Sequence, residues 1–312
     1  MKNNPFFGQD ILSSQQFTKE NLQVIVDMAR DMKLLVKKQG ATDVLKGKVM
    51  TALFYEPSSR TFASFVTSIQ RLGGGFIPLQ GVVYSSVSKG ETLPDTVKTF
   101  SCYSDVIVMR HPEVGSAKIA AAASPVPIIN AGDGVGEHPT QSLLDYFTIE
   151  ERFGHVDKLT VTMVGDLLNG RTIHSLIKLL SLYRGVTINL VSPRILRLPE
   201  QVMALVKKRG VRVHEFEKLD GVLKSSDVLY VTRVQKERFS DLNLYEELKH
   251  YYIITPQVLK NAKKSMIVMH PLPRVGEITE DVDRDPRAAY IKDQMTNGMY
   301  VRMALLRLVL LP

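Results

Sequence analysis

The 312-residue chain has one cysteine, Cys102. That excludes an intramolecular disulfide framework and any cysteine-rich zinc site. No uncharged apolar run reaches the ~18 residues that a membrane-spanning helix needs. The N-terminal stretch MKNNPFFGQDILSS has no continuous apolar segment of the signal-peptide kind. Low-complexity segments and short solenoid repeats are absent too. These absences predict a soluble, cytoplasmic protein in a reducing compartment. Seven histidines leave a His/carboxylate metal site open on counts alone.

What is present is ordinary globular material, 44% apolar and 23% charged. The length suits one large domain or two modest ones. Forty basic residues against thirty-two acidic ones give a net charge of +8. The excess is scattered: Lys37-Lys38, Lys207-Lys208 and Lys263-Lys264 sit in or beside amphipathic stretches, as on a solvated helix face. With no basic stripe and no recognition motif, nucleic acid is a poor partner. A small anionic substrate uses local positive charge equally well.

The periodicity alternates between strands and helices. Leu22, Ile25, Met28, Met32 and Leu35 recur at helical spacing behind Thr18, an expected N-cap. Lys48–Tyr55 reads as a strand covered on both faces, and Phe62, Phe65, Ile69 and Leu72 mark a helix that Gly73-Gly74-Gly75 ends. A loop-like stretch from Gly81 to Gly90 follows, then a helix from Leu93 to Tyr103 that takes Cys102 into its core. Asp105–Met109 and Pro127–Asn130 are further strands. Ala117–Ala123 and Pro139–Phe153 are further helices.

In the second half, strands are expected at Thr160–Val164, Thr187–Val191, Val211–Glu215, Val228–Thr232 and Met266–Met269. Helical patterns cover Arg171–Tyr183, Pro199–Arg209, Tyr245–Leu248 and Pro256–Asn261. Apolar strands separated by helices predict parallel sheets with both faces covered. The fold class is therefore α/β in two domains, residues 1–145 and 146–289, with an apolar C-terminal helix at about 290–312 packing back on the first.

Parallel sheets collect ligands beyond the carboxyl ends of their strands. Ser58-Ser59-Arg60-Thr61 joins a strand to a helix, where hydroxyls, free N–H groups and one guanidinium suit a phosphate. A plain N-cap with a surface arginine is the alternative. Arg110-His111-Pro112 places a cation at a second strand end. His138-Pro139-Thr140-Gln141 offers a hydrogen-bond donor for a carbonyl oxygen, with Gln141 nearly one turn on. Neither GxxxxGK[ST] nor GxGxxG occurs: the second half reads Gly165-Asp166-Leu167-Leu168-Asn169-Gly170-Arg171, which argues against a nicotinamide cofactor. Arg171 and Arg233, if they face one crevice, suit a dicarboxylate, although either alone is an ordinary surface ion-pair partner. His270-Pro271-Leu272-Pro273-Arg274 is a proline-framed loop at the next strand end.

These motifs, with Val87-Ser88-Lys89-Gly90-Glu91 and Thr232-Arg233-Val234-Gln235, resemble the aspartate carbamoyltransferase catalytic chains from Ile11 to Leu311. Asn130–Gln141 and Asn297–Leu306 are most similar to the transcarbamoylase domain of the fused eukaryotic pyrimidine-synthesis polypeptide, and a fungal source is expected. The resemblance implies an excised domain, fused in its parent to carbamoyl phosphate synthetase and dihydroorotase. It also implies one domain for carbamoyl phosphate, one for L-aspartate, and a homotrimer with shared active sites.

Carried over by motif, Ser58, Ser59, Arg60, Thr61 and Arg110 hold the phosphate, with Gln141 alongside. Thr61, Arg110 and His138 address the carbonyl oxygen. Ser85 and Lys89 reach a neighbouring subunit's site, where Lys89 serves both substrates. Arg171, Arg233 and Gln235 bind aspartate beside Leu272 and Pro273. Glu56 and Arg238 are ion-pair positions that set the aspartate-binding arginines and stabilise closure. Two segments depart from the family pattern. Ser59 stands where threonine is frequent and keeps the hydroxyl. Leu167-Leu168-Asn169 replaces a segment that often holds lysine and an aromatic or histidine, so some aspartate-side contacts differ.

The implied chemistry needs no cofactor, no metal and no covalent nucleophile. Amine attack puts charge on a carbonyl oxygen, which Thr61, Arg110 and a neutral His138 stabilise, and the departing phosphate takes the proton. Domain closure fixes the two anions together and excludes water. Ornithine carbamoyltransferase is the nearest rival. Its second-substrate loop carries a cysteine in a His-Cys-Leu-Pro context where this chain has His270-Pro271-Leu272-Pro273. A decayed, non-catalytic homologue is opposed by retention of Arg60, Lys89, Arg110, His138, Arg171 and Arg233.

Overall fold

A computed structural model describes residues 4–81 and 86–312. In chain order the elements are α1 (Lys19–Gln39), β1 (Val49–Phe54), α2 (Ser59–Arg71), β2 (Gly75–Gln80), α3 (Leu93–Ser101), β3 (Val106–His111), α4 (Ser116–Ala123), β4 (Ile128–Asp133) and α5 (Pro139–Phe153). They continue as β5 (Thr160–Val164), α6 (Arg171–Leu180), β6 (Thr187–Val191), α7 (Glu200–Lys208), β7 (Arg212–Phe216), β8 (Val228–Val231), α8 (Leu242–Leu248), α9 (Pro256–Leu259), β9 (Ile267–Met269) and α10 (Thr296–Leu310).

The described residues up to Phe147, together with Asn297–Pro312, form one compact unit, and Thr148–Thr296 form a second. The first holds a four-stranded sheet ordered β2-β1-β3-β4, and the second a five-stranded sheet ordered β7-β6-β5-β8-β9. Every pairing is parallel. The central strands are buried on both faces, which accounts for their unbroken apolar runs. Leu53, Val97, Ile107, Met109 and Ile128 are part of the first core. Val164, Val191, Leu229, Val231, Val268 and Tyr290 are part of the second.

Local signals account for most boundaries. Thr18 caps α1 by accepting a hydrogen bond from the Asn21 amide. α10 is buried along nearly its whole length and joins the first unit, where the Ser68 hydroxyl donates to the Met299 carbonyl at 3.1 Å. No helix among the described residues is long and apolar enough to cross a membrane.

Two expectations fail. The sequence assigns no strand between the helix that Gly73-Gly74-Gly75 ends and the stretch from Gly81, yet β2 lies there. It is an edge strand, half exposed, with Pro78 opposite Ala52. An edge tolerates proline because the missing N–H faces no partner, and the usual strand pattern is lost with it. Cys102 does not enter a helix core. It is exposed just past the end of α3, where its Sγ donates to the Lys98 carbonyl at 3.4 Å. It stands five residues beyond buried Val97, about 140° round the helix from that face.

Candidate active site

In each sheet the strand order reverses once. The first chain segment runs from β1 out to β2 and then returns across β1 to β3, so its reversal lies between β1 and β3. The second reverses between β5 and β8. Loops that leave in opposite directions open a crevice at such a point, beyond the strand carboxyl ends. Ser58–Thr61 and Arg110 fall at the first, and Arg171, Arg233 and Gln235 at the second.

In the first unit, Ser58 is the N-cap of α2 but makes no side-chain cap bond, and the first turn carries no acidic residue. The positive helix end is therefore left for an external anion. Ser59 and Arg60 are exposed there, and Thr61 is buried. Arg110 pairs with Phe54 across β1 and β3, and its carbonyl accepts from the Tyr55 amide at 2.9 Å. Its Nη2 lies 3.2 Å from Glu56 Oε2. Glu56, two residues past β1, thus reaches the guanidinium at the end of the adjoining strand.

His138 is reached through a tightly closed loop. The Asp133 carboxylate accepts from the Gly115 and Glu137 amides at 2.9 and 2.7 Å, and Gly134 donates to the His111 carbonyl at 2.9 Å. His138 is buried, with Nδ1 3.5 Å from Thr140 Oγ1. The Gln141 side-chain amide donates to Asp145 Oδ1 at 2.9 Å. Neighbouring His111 is the wrong group for cationic work: burial pushes its pKa down despite nearby Glu113, Glu56 and Asp133. Lys89 is exposed on a 3₁₀ turn beyond the edge strand. Ser85 lies outside the described residues.

In the second unit, the reversal point is held by Asp166. Oδ1 accepts from the Asn169 amide at 2.9 Å, and Oδ2 faces the Gln235 amide at 3.5 Å. The Gln235 side chain then donates to the Asn169 carbonyl at 2.9 Å, a carbonyl that also accepts from the Arg171 amide at 2.9 Å. The loop after β5 and the loop after β8 are thus tied together, bringing the Arg171 and Arg233–Gln235 segments to one place. Burial raises the Asp166 pKa, only partly offset by bonds from Asn169 and Gln235.

Arg233 forms a two-pronged pair with Glu237: Nη1 to Oε2 at 3.1 Å and Nη2 to Oε1. Burial acts to raise the Glu237 pKa, but the Arg233 bonds and charge outweigh it and hold the carboxyl below its usual range. Arg238 ends the 3₁₀ turn that contains Glu237 and adds its charge to that carboxylate's surroundings. Leu272 and Pro273 follow β9 on a loop joined by a cis peptide, whose Arg274 pairs with Asp283 at 2.8 Å between Nη2 and Oδ2. Among the described residues, no group of three or more His, Cys, Asp or Glu side chains is placed to hold a metal ion.

The structure brings Ser58–Thr61, Arg110 and His138 to one sheet end, and Arg171, Arg233 and Gln235 to another. Sequence reasoning missed Glu237, which looks like any i,i+4 surface partner, and the bracing role of Asp166. The sequence signal for Asp166 is an acid directly after a strand-ending glycine.

Comparison with known proteins matches two family domains in sequence order. Residues 9–151 match the family described as Aspartate/ornithine carbamoyltransferase, carbamoyl-P binding domain. Residues 157–309 match Aspartate/ornithine carbamoyltransferase, Asp/Orn binding domain. The chain is 53% identical over 307 residues to the Multifunctional protein CAD of Squalus acanthias, covering 98% of this chain and 14% of that protein. It is 46% identical over 303 residues to the aspartate carbamoyltransferase catalytic subunit of Thermococcus onnurineus, covering 97% of each. The structure of Trypanosoma cruzi aspartate transcarbamoylase with N-(phosphonacetyl)-L-aspartic acid superposes with a TM-score of 0.94 at 43% identity, covering 99% of this chain and 98% of that one. The chain spans about 14% of the length of its multifunctional relatives. On these matches and this geometry, the chain belongs to the aspartate/ornithine carbamoyltransferase family.

Proposed function

We propose that the chain is an aspartate carbamoyltransferase, moving the carbamoyl group of carbamoyl phosphate to the amine of L-aspartate. The observation that carries this reading is the pair of guanidiniums at the two sheet reversals, Arg110 beside β1 and Arg233 beside β8. The Arg233 fork fits a carboxylate two-pronged, as its pair with Glu237 shows, and with Arg171 it makes two guanidiniums for the two carboxylates of a dicarboxylate, where a diamino acid has one. The absence of cysteine from His270–Arg274 points the same way.

In this reading Ser58, Ser59, Arg60, Thr61 and Arg110 hold the phosphate, with Gln141 and a neighbouring subunit's Ser85 and Lys89. Thr61, Arg110 and His138 donate to the carbonyl oxygen as it gains charge. The aspartate nitrogen forms its bond to the carbonyl carbon, the carbon–oxygen bond to phosphate breaks, and the amine proton passes to the phosphate. Arg171, Arg233, Gln235 and Lys89 take the aspartate, beside Leu272 and Pro273. Glu56 and Arg238 set the arginines. The chain works as a homotrimer in the cytoplasm, joined to carbamoyl phosphate synthetase and dihydroorotase; that relatives named as multifunctional proteins are far longer than this chain supports its being one part of a longer polypeptide.

Carbamoyl transfer assayed in parallel with L-aspartate and L-ornithine tests the activity. Product only with aspartate, lost in Lys89→Gln and Arg60→Gln, is expected. Turnover with ornithine, or none with either amine from a folded protein, overturns it.

A further inference from the structure

His270 and Glu277 form a buried pair beneath the loop that follows β9, with 1% and 5% of their surface exposed. The imidazole bridges two partners. Its Nδ1 lies 2.7 Å from the Leu272 backbone nitrogen, and its Nε2 lies 2.6 Å from Glu277 Oε1. A backbone N–H can only donate, so Nδ1 must present a lone pair to it. The ring proton then belongs to Nε2 and goes to the carboxylate. The other carboxylate oxygen accepts from the Val275 amide at 2.8 Å.

Amides on both sides of Pro273 are therefore tied to one dyad, which is itself fixed to the second unit. The His270 amide donates to Gln294 Oε1 at 2.8 Å, and the Ile254 amide donates to the Glu277 carbonyl at 2.9 Å. Leu272 needs such holding. Its φ of 55° lies in the left-handed region, which a leucine avoids without outside support. Burial by itself raises the Glu277 pKa, but the hydrogen bonds from His270 and the Val275 amide more than offset it. The acceptor of the ring proton thus stays a carboxylate.

We infer that His270 is a positioning residue for the second substrate: by accepting the Leu272 N–H while donating to Glu277, it fixes the Leu272–Pro273 backbone against which L-aspartate is read. The inference rests on the proposed activity and extends it to a residue that does not touch substrate. Only a ring with an acceptor and a donor on opposite edges does both jobs, so the two functions separate by substitution. In His270→Asn the amide oxygen occupies the place of Nδ1 and keeps the Leu272 bond. In His270→Gln the amide reaches the place of Nε2 and keeps Glu277, but loses Leu272.

Initial rates are measured with each substrate varied while the other is saturating. Loss of one hydrogen bond in His270→Gln is expected to raise the KM for L-aspartate about tenfold. The KM for carbamoyl phosphate stays unchanged, and His270→Asn, which loses the Glu277 bond but keeps the one from Leu272, raises the aspartate KM less than His270→Gln does. No rise in the aspartate KM of His270→Gln, equal damage in both variants, or a parallel rise in both KM values overturns the inference. Should neither variant fold, nitrogen NMR of the unmodified chain decides. A coupling across the hydrogen bond from the Leu272 amide to an unprotonated Nδ1 supports the inference, and a protonated Nδ1 overturns it. Absence of aspartate carbamoylation by the unmodified chain counts against the activity alone, because the NMR readout does not depend on turnover.

Discussion

Asp105 and Asp227 do the same work in two different sheets. Asp105 Oδ2 accepts from the Val49 amide at 2.9 Å, and its own N–H donates to the Val49 carbonyl at 2.8 Å. Asp227 makes the same two bonds to Thr160, at 2.9 and 2.8 Å. Each takes a lysine on Oδ1, Lys48 at 2.8 Å and Lys263 at 2.7 Å. Each follows a serine bonded to a strand threonine, Ser104 to Thr51 at 3.1 Å and Ser226 to Thr162 at 2.6 Å. The motif Ser-Asp-Val thus pins the two strands beside each reversal at their amino ends. The strands it opens lead to Arg110 and Arg233 at the carboxyl ends.

That arrangement has a pH signature in the first unit. Burial raises the Asp105 pKa, but the Lys48 hydrogen bond, the Val49 amide and the Lys48 charge outweigh it, leaving it below 3.8. A carboxyl depressed on folding adds stability that is full above its unfolded value and is lost as pH falls through the lower folded value. Asp105→Asn should therefore cost about 1 kcal/mol or less of stability at pH 7 for a pair this exposed, and lower the thermal midpoint accordingly. The gap to the unmodified chain should close below pH 3.8. A gap that persists undiminished in thermal melts through that range would sink the argument.

How much of this was readable beforehand depends on what each residue touches. β1 and β5 are legible because burial on both faces demands an unbroken apolar run, and α5 because a proline opens it and an apolar period continues it. β2 is not, since an exposed edge with Pro78 sets no such demand. Arg110 and Arg233 stand out as charges at the ends of buried strands. Glu237 and Glu277 do not, because their roles depend on where a loop folds back. Buried Arg302 reads simply as a charge interrupting an apolar helix, its partners being Ser64 and Asp145, far away in the sequence.

Arg233→Lys tests the two-pronged grip. Lysine keeps the charge and loses the planar fork that meets both oxygens of Glu237. The KM for L-aspartate should rise about tenfold or more, a loss of at least one charged hydrogen bond. Carbamoyl phosphate binding, measured by calorimetry, should be unaffected. Equal losses for both substrates would show that Arg233 supports the fold instead.

Arg302 carries a different liability. It is 4% exposed on α10, bonds Ser64 Oγ at 2.9 Å, and lies with its guanidinium carbon 5.2 Å from the Phe65 ring centre. Burial pulls its pKa down to about 10 against the favourable charge of Asp145, so it remains a cation at neutral pH. Arg302→Met deprives buried Asp145 of that charge and should cost about 3–5 kcal/mol. Urea unfolding reads this directly, and a variant as stable as the unmodified chain would refute it.

Gly165 sits where β5 ends close against the segment that follows β8. Its φ is +119°, and a Cβ there would meet the Thr232 carbonyl oxygen at 2.1 Å. A main-chain oxygen cannot swing aside as a side chain can, so Gly165→Ala must move one strand end or change the backbone angle. Either movement pulls Asp166 from the Gln235 amide, and with it the link between the Arg171 and Arg233 loops. The expected result is a folded protein with a raised aspartate KM, together with a stability loss of about 1–3 kcal/mol from overpacking and strain. Unchanged aspartate kinetics in a destabilised variant would mean that the two arginine loops do not depend on this contact.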